Sequence, residues 1–130
     1  MPDECRGRIL IVEDEAAAGK ILRMLLESAG FEAQVIGNGA DALRLAGGQS
    51  FALVILDLQL PDMHGYDVAR ELRKLYHPWA LPILMLTGMH QPIDQLRGFA
   101  CGADAYLTKP YEFTELLKTV GLLLGQTTPA

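Results

Sequence analysis

The sequence predicts a single α/β domain in which helices cover both faces of a parallel sheet. Along its 130 residues, five short apolar runs alternate with five longer segments that carry apolar residues at helical spacing. Most of the short runs are apolar at nearly every position, as in strands that are covered on both faces. Because crossovers between parallel strands are right-handed, a doubly wound arrangement is the expected topology.

The strands are predicted in order from the apolar runs. They are expected at 8–12 (RILIV), 32–36 (EAQVI), 51–57 (FALVILD), 82–87 (PILMLT) and 105–108 (AYLT). The second run is the most polar, which predicts a more exposed strand. The third is the most apolar, which predicts a central strand.

A helix is predicted after each strand. The five segments are EAAAGKILRMLLESAG, NGADALRLAGG, GYDVARELRKL, PIDQLRGFACG and EFTELLKTVGLLLG. Gly30 stands where the first helix is expected to stop. The predicted inward faces are Ala18, Ile21, Leu22, Leu25 and Ala29 in the first helix, Val68, Ala69 and Leu72 in the third, and Phe113, Leu116, Leu117, Val120 and Leu124 in the last. Leu122 lies on the opposite side of the last helix from this inward face.

Composition and charge exclude several classes of function. The net charge of −5 and the scattered lysines and arginines argue against direct binding of nucleic acid. No apolar run approaches the length of a membrane span, and no secretory signal precedes the first strand. Cys5 and Cys101 lack metal-site spacing, and free thiols favour the cytoplasm. Residues 1–7 are expected to be an N-terminal tail and residues 125–130 a C-terminal tail or the start of a linker, on either side of a domain at 8–124.

Polar side chains stand at the ends of four predicted strands. They are Glu13 and Asp14 after the first, Asp57 after the third, Thr87 at the end of the fourth and Lys109 after the fifth. Taken singly, Asp14 fits an N-cap and Asp57 an Asx turn, while Thr87 fits an ordinary strand position and Lys109 a solvated one. Doubly wound sheets bind ligands at the carboxyl ends of their strands, so the combination favours one shared site.

The chemistry of these residues suits phosphoryl transfer. Three carboxylates placed together repel one another, so either protons or a cation must join them. Oxygen ligands held partly by loops suit Mg²⁺, which also takes oxygens from a phosphate. A metal ion, an ammonium and a hydroxyl form a suitable cradle for a phosphoryl group, and a carboxylate within it can accept that group as an acyl phosphate.

The sequence resembles the receiver domain of bacterial two-component response regulators over residues 7–124. The resemblance rests on the motifs ILIVEDE, VILDLQLPDMHGYDVARELR, PILMLTG and GADAYLTKP, which occur in this order. It implies a flavodoxin-like, CheY-like sheet with strand order 2-1-3-4-5. It further implies a signalling switch rather than a turnover enzyme, with intrinsic Mg²⁺-dependent autophosphorylation and autodephosphorylation.

Carried over by position, the resemblance assigns roles in the phosphoryl chemistry. Asp57 would accept a phosphoryl group from the phosphohistidine of a histidine kinase, or from a phosphotransfer protein. Glu13, Asp14 and Asp57 would hold Mg²⁺ together with the backbone carbonyl of Gln59. Lys109 would pair with Asp57 and then with the phosphoryl oxygens.

The resemblance also assigns a switch. Thr87 would move to bind the phosphoryl group while Tyr106 turns inward, a two-state change that follows a local change in charge. Pro110 would follow a cis peptide bond. The face formed by the fourth helix, fifth strand and fifth helix would contact an effector or a second receiver.

Some positions depart from the commonest pattern of the family. Glu13 replaces the more frequent aspartate, and Gly88 stands where alanine is usual. Gln59 and Met89 occupy positions that influence the lifetime of the acyl phosphate. Because Met89 offers no polar group to orient an attacking water, slow self-dephosphorylation is expected.

Other conspicuous side chains are interpreted as structural. The three histidines, His64, His77 and His90, are expected in loops with no part in the chemistry. Tyr76 and Trp79 are expected to anchor a loop on the sheet edge, although a contact patch is the alternative.

Four other functions are alternatives to that of a response-regulator receiver domain. The chain is alternatively the receiver of a hybrid histidine kinase, or a degenerate receiver that acts as a constitutive interaction module. A phosphatase with an aspartyl-phosphate intermediate needs an acid where Gln59 stands. A flavodoxin-like electron carrier needs a phosphate-binding loop after the first strand, and EDEAAAG is acidic there.

Overall fold

The structure is a computed structural model that describes residues 7–76 and 80–125. In these two stretches, five strands alternate with five helices. The strands are β1 (Arg8–Val12), β2 (Glu32–Ile36), β3 (Leu53–Leu56), β4 (Ile83–Thr87) and β5 (Ala105–Thr108). The helices are α1 (Ala16–Ser28), α2 (Gly39–Gly48), α3 (Gly65–Leu75), α4 (Pro92–Ala100) and α5 (Phe113–Leu123). Cys5, His77, Trp79 and most of both expected tails lie outside the described residues.

The five strands form one parallel sheet in the order β2-β1-β3-β4-β5, which confirms the predicted fold class and strand order. The register pairs Val12 with Leu56 and Leu56 with Met85, so β1, β3 and β4 run level with one another. Thr87 pairs with Thr108 at the ends of β4 and β5. The residues that follow these strands are therefore brought to one edge of the sheet.

The hydrophobic core consists of two layers, one on each face of the sheet. Successive residues of β1 alternate between them: Leu10 and Val12 belong to the layer beneath α2 and α3, and Ile9 and Ile11 to the layer beneath α1 and α5. This alternation follows from the period of two in a strand. Burial on both faces explains why β3 is apolar throughout, β1 is apolar after Arg8 and β4 is apolar up to Thr87.

The inward face of α1 differs from the prediction. Ile21 was expected to face the sheet but is 54% exposed, whereas Leu26, which the prediction leaves out, is fully buried. The reason is Gly19, where an added Cβ would lie 2.8 Å from Val35 Cγ1. The helix therefore approaches the sheet along the line of Gly19, Leu22 and Leu26. Since glycine gives no hydrophobic signal, the sequence pattern places this line one residue too early.

The predicted faces of α3 and α5 are confirmed at their centres. Val68, Ala69 and Leu72 of α3 are buried, as are the α5 residues Leu116 and Val120. Leu122 is 71% exposed, opposite the buried stripe. No helix in the described part of the chain combines the length and the hydrophobicity needed to cross a bilayer.

Candidate functional site

Three carboxylates meet at the carboxyl ends of β1 and β3. One oxygen each from Glu13, Asp14 and Asp57 lies within 4.8 Å of the others. The register that places Val12 beside Leu56 causes this meeting, because the acids follow these two residues directly. Glu13 and Asp57 are buried, whereas Asp14 is exposed, so the cluster opens to solvent on the side of Asp14.

A lysine from the end of β5 reaches into this cluster. Lys109 Nζ lies 2.5 Å from Glu13 Oε1 and 3.2 Å from Asp57 Oδ2, so one ammonium contacts two carboxylates. The peptide bond between Lys109 and Pro110 is cis. The four charged side chains that the sequence predicts at the strand ends therefore lie together.

The close packing of these charges shifts their pKa values. Burial raises the pKa of Glu13, and repulsion by Asp57 adds to this effect, while the hydrogen bond from Lys109 opposes it. Burial by itself disfavours the charged form of Lys109, but its hydrogen bonds and its attraction to the two carboxylates outweigh burial and raise the pKa of the lysine. The lysine therefore stays charged and neutralises part of the acidic cluster.

The donor set of the cluster fits a magnesium ion. Carboxylate oxygens are the hard ligands that Mg²⁺ prefers, and the ion also retains water, for which the exposed side at Asp14 leaves access. Glu13, Asp14 and Asp57 are the residues that would hold it. Gln59, the predicted source of a backbone carbonyl ligand, lies two residues beyond Asp57 in the loop between β3 and α3.

The loop between β3 and α3 is closed by its own backbone. Gln59 forms an antiparallel bridge with His64, and the Gly65 amide donates to the Leu58 carbonyl at 2.7 Å. Gly65 is required here, since an added Cβ would lie 2.6 Å from both the Asp57 carbonyl oxygen and Leu58 Cα. Asp57 also accepts a hydrogen bond from the Gln59 amide at 3.2 Å, so the Asx-turn interpretation describes part of its environment.

The two predicted switch residues both bind the backbone of Met89. The Met89 amide donates to Thr87 Oγ1 at 3.4 Å, and the Tyr106 hydroxyl donates to the Met89 carbonyl at 2.7 Å. Thr87 is fully buried, and Tyr106 is half-buried against α4. An added Cβ on Gly98 of α4 would lie 3.0 Å from the Tyr106 ring, so the ring occupies space that this glycine leaves.

Sequence reasoning missed several contacts around the site. Asp62 accepts hydrogen bonds from the first two amides of α2, and the Tyr66 hydroxyl donates to the Asp94 carbonyl at 2.9 Å in the first turn of α4. His64, predicted as a loop residue, is the N-cap of α3: its Nδ1 accepts from the Tyr66 amide. An aspartate in a turn-rich loop is a known capping signal, but the pattern does not tell which helix it caps.

Comparison with known proteins identifies close relatives. The sequence model described as the response regulator receiver domain matches residues 9–121. The transcriptional regulatory protein PcoR of Escherichia coli is 41% identical over 117 residues, which are 90% of this chain and 51% of that protein. The DNA-binding response regulator MtrA of Mycobacterium tuberculosis is 41% identical over 118 residues, 91% of this chain and 50% of that protein. The chain thus spans about half the length of these curated relatives.

Solved structures agree with these relatives. A putative response regulator from Chloroflexus aurantiacus superposes with a TM-score of 0.85 at 34% identity, covering 92% of this chain and 98% of that one. The receiver domain of the sensor histidine kinase PA1611 from Pseudomonas aeruginosa has a TM-score of 0.84 at 28% identity, with the same coverage of both chains. That structure has a magnesium ion coordinated in its active site cleft.

Proposed function

The chain belongs to the response regulator receiver domain family of two-component signalling, and we propose that Asp57 is the side chain that accepts the phosphoryl group. The observation that carries this proposal is the contact of Lys109 with both Glu13 and Asp57, beside the exposed Asp14. With Mg²⁺ bound, a cluster of this composition would offset the charge of a phosphoryl group, and it presents one carboxylate as the acceptor.

The transfer needs positioning more than covalent machinery. An Asp57 oxygen forms a bond to phosphorus while the P–N bond of the donor's phosphohistidine breaks, and the electron pair of that bond stays on the imidazole nitrogen. Glu13, Asp14, Asp57 and the Gln59 carbonyl would hold Mg²⁺, which would supply positive charge beside the phosphoryl oxygens. The Lys109 ammonium supplies a second positive charge from the β5 side, and the Asp57–Gln59 hydrogen bond orients the acceptor.

Phosphorylation then acts on the residues that hold Met89. The Thr87 hydroxyl turns to the phosphoryl oxygens and gives up its bond to the Met89 amide, which frees the loop before α4. Tyr106, whose hydroxyl donates to the Met89 carbonyl, changes its position with that loop. This is a two-state rearrangement biased by a local charge event. The apolar Met89 leaves an attacking water unoriented, so the phosphorylated state is long-lived.

The donor reaches Asp57 past α1. An apolar groove of about 270 Å³ lies between α1 and the end of β5, and its lining includes Ile21, Lys109 and Tyr111. Ile21 is 54% exposed and Met24 is 59% exposed on the same helix. Because Lys109 belongs both to the groove and to the acidic cluster, a helical phosphodonor that packs on these apolar side chains brings its histidine to Asp57.

The signal leaves through the face of α4, β5 and α5. Ile93, Leu96 and Phe99 of α4 and Leu122 of α5 are large apolar side chains exposed on these helices. An effector or a second receiver is the partner that this face accepts. PcoR and MtrA are named as transcriptional or DNA-binding regulators but are about twice as long. With a net charge of −5, we assign no nucleic-acid contact to this chain.

The domain acts as a switch and not as a turnover enzyme, with Mg²⁺-dependent autophosphorylation and slow autodephosphorylation of its own. The free thiol of Cys101 is buried, which is consistent with the reducing cytoplasm. We therefore place the action of the domain in the cytoplasm. The receiver of a hybrid histidine kinase remains a second candidate. The specific observation in its favour is the likeness to the receiver domain of the sensor kinase PA1611.

The proposal is tested by intact mass after incubation with acetyl phosphate and Mg²⁺, for the wild type and Asp57→Asn in parallel. We expect one phosphoryl adduct on the wild type, none on Asp57→Asn, and none on either protein when EDTA replaces Mg²⁺. An adduct of equal yield on Asp57→Asn would rule out Asp57 as the acceptor. A folded wild type that binds Mg²⁺ but takes a phosphoryl group from neither acetyl phosphate nor any histidine kinase would favour the degenerate module.

A further inference from the structure

A residue of the β3–α3 loop caps a helix that lies more than twenty residues before it. Asp62 Oδ1 accepts from the Gly39 amide at 2.8 Å, and Oδ2 accepts from the Ala40 amide at 2.9 Å. The next amide, that of Asp41, donates to Oδ1 of the N-cap residue Asn38 at 2.8 Å. The first three amides of α2, which have no partner within the helix, therefore all have acceptors.

The loop and α2 also pack closely at this point. An added Cβ on Gly39 would lie 2.9 Å from Met63 Sδ and 3.2 Å from Met63 Cβ. Glycine at the first position of the helix thus lets the loop approach near enough for Asp62 to reach two amides. These bonds lower the pKa of Asp62, because the backbone donors stabilise its charged form. Two independent features, a bidentate cap and a close packing contact, tie the tip of the loop to α2.

The attachment of the loop to α2 matters because the loop is proposed to supply one metal ligand, the Gln59 carbonyl, and to orient another, the Asp57 carboxylate. At its base the loop is closed by the bridge between Gln59 and His64 and by the bond from Gly65 to Leu58. Those bonds fix the loop to itself. The contacts of Asp62 fix it to a different element of the fold, and so limit how the loop can tilt relative to the acids that follow β1.

We propose that Asp62 is a positioning residue for the metal site: by capping α2 it holds the β3–α3 loop so that the Gln59 carbonyl and the Asp57 carboxylate stay aligned with Glu13 and Asp14. Asp62 itself contacts none of the proposed metal ligands in the hydrogen bonds described above. This inference rests on the proposed function, because it assumes that the acidic cluster binds Mg²⁺.

The test compares Mg²⁺ affinity, measured by calorimetry on the full chain, for Asp62→Ala, Asp62→Asn and Asp41→Ala. Asp41→Ala is the matched control: it removes the same charge from the first turn of α2, where Asp41 contacts Asn38 and Arg44, but it leaves the loop attached. We expect Asp62→Ala to weaken Mg²⁺ binding by about 3- to 10-fold, less than the roughly 10- to 100-fold typical of residues that bond directly to a metal ligand. Asp41→Ala is expected to stay within about twofold, the scale of a remote charge effect.

The conservative variant separates positioning from charge. Asp62→Asn keeps one acceptor oxygen, so its affinity should lie between those of the wild type and Asp62→Ala, with amide exchange at 58–64 raised in the same order. Equal affinities for Asp62→Ala and Asp41→Ala would overturn the inference, as would Asp62→Asn and Asp62→Ala behaving alike. A folded wild type that binds no Mg²⁺ would overturn the proposed metal site, and this inference with it.

Discussion

The ammonium of Lys109 contacts the carboxylate of Glu13 at 2.5 Å, closer than its 3.2 Å contact with the phosphoacceptor candidate Asp57. The resemblance to receiver domains implies the pairing with Asp57, and the contact with Glu13 adds a second partner. Since Glu13 is also a proposed metal ligand, lysine and metal ion compete for one carboxylate. Lys109 thus has opposite effects on the stability of the fold and on its affinity for the metal.

Replacing Lys109 should separate these two effects. Lys109→Ala is expected to lower the free energy of unfolding in EDTA by about 1–3 kcal/mol, less than for a fully buried pair because the lysine side chain is 27% exposed. The same variant is expected to bind Mg²⁺ more tightly, because the competing charge is gone. The variant should still accept a phosphoryl group. Because no ammonium then attracts the phosphoryl oxygens, phosphorylation should leave the amide exchange of β5 and α4 unchanged.

The control for Lys109 is Lys74→Ala, which breaks an exposed pair with Glu71 on α3. That change should alter the free energy of unfolding by less than about 1 kcal/mol and leave Mg²⁺ binding unchanged. Weaker Mg²⁺ binding by Lys109→Ala, or a normal conformational response after its phosphorylation, would contradict the role assigned to the lysine.

Asp57→Asn is expected to stabilise the fold when Mg²⁺ is absent. The substitution removes one of three crowded negative charges and retains an oxygen that can accept from the Gln59 amide. The free energy of unfolding in EDTA, from urea titrations, should rise by about 1 kcal/mol. Adding Mg²⁺ should raise the stability of the wild type more than that of the variant. A variant that is less stable than the wild type in EDTA would show that repulsion among the acids is not the larger effect.

Ile21→Glu is expected to impair phosphorylation by a protein donor and to spare phosphorylation by a small molecule. A charge on the apolar groove beside Lys109 should slow transfer from the fastest-reacting histidine kinase about tenfold, equivalent to about 1.4 kcal/mol, whereas the rate with acetyl phosphate stays unchanged. Leu75→Glu on α3 is the control, because Leu75 is similarly exposed at 59% and lies outside the groove. Equal losses in the two variants would remove α1 from the docking surface.

Gly98→Ala is expected to destabilise the domain and displace Tyr106. A methyl group at this position would lie 2.9 Å from Met85 Sδ and 3.0 Å from the Tyr106 ring. Overpacking typically costs about 1–3 kcal/mol, which exceeds the gain of about 1 kcal/mol from replacing glycine in a helix. Urea unfolding should therefore show a net loss of about 1 kcal/mol, and the ring signals of Tyr106 should shift in NMR spectra.

Gly47→Ala in α2 is the matched control for Gly98→Ala, because nothing lies within 4 Å of an added Cβ there. It is expected to stabilise the domain by about 0.5–1 kcal/mol. If both alanines stabilise the domain to the same degree, Gly98 has no packing role and Tyr106 is not held by it.

The cap formed by Asp62 is expected to disappear in acid. The hydrogen bonds from the Gly39 and Ala40 amides lower the pKa of Asp62 from 3.8. The charged carboxylate therefore stabilises the fold fully at any pH above the pKa that Asp62 has in the unfolded state. That effect is lost as the pH falls through the lower pKa of the folded state. The difference in free energy of unfolding between the wild type and Asp62→Asn should be constant above the 3.8 value and shrink below it. A difference that persists through acid would mean that the charge of Asp62 is not what caps α2.

Periodicity and the strand-end rule predicted the α/β class and the convergence of the charged residues, whereas the strand order and the roles at the site came from the resemblance to receiver domains. Continuous apolar runs define β1, β3 and β4, and the parallel order then brings Glu13, Asp57 and Lys109 to one edge. Each of these inferences uses residues that are close in sequence, or a general rule for sheets. This is why the site residues were predicted before any distance was known.

The contacts that the sequence did not predict depend on how closely two elements of the fold approach each other. Asp62 caps α2 only because Gly39 admits Met63 against the helix. Similarly, Gly19 sets the line along which α1 meets the sheet, which turned Ile21 outward. A glycine carries no hydrophobic signal, so a pattern of apolar residues does not record the contact distance that it permits.

The position of β5 at the edge of the sheet has a consequence for the order in which the domain is made. Glu13 and Asp57 leave the ribosome well before Lys109, so a nascent chain carries crowded carboxylates without their ammonium partner. The lysine arrives when the last strand pairs with β4, a long-range step that is slow by nature. Under the roles proposed above, a chain without β5 has the acceptor carboxylate but not the lysine that links phosphorylation to the conformational change, so only the finished domain passes on the signal.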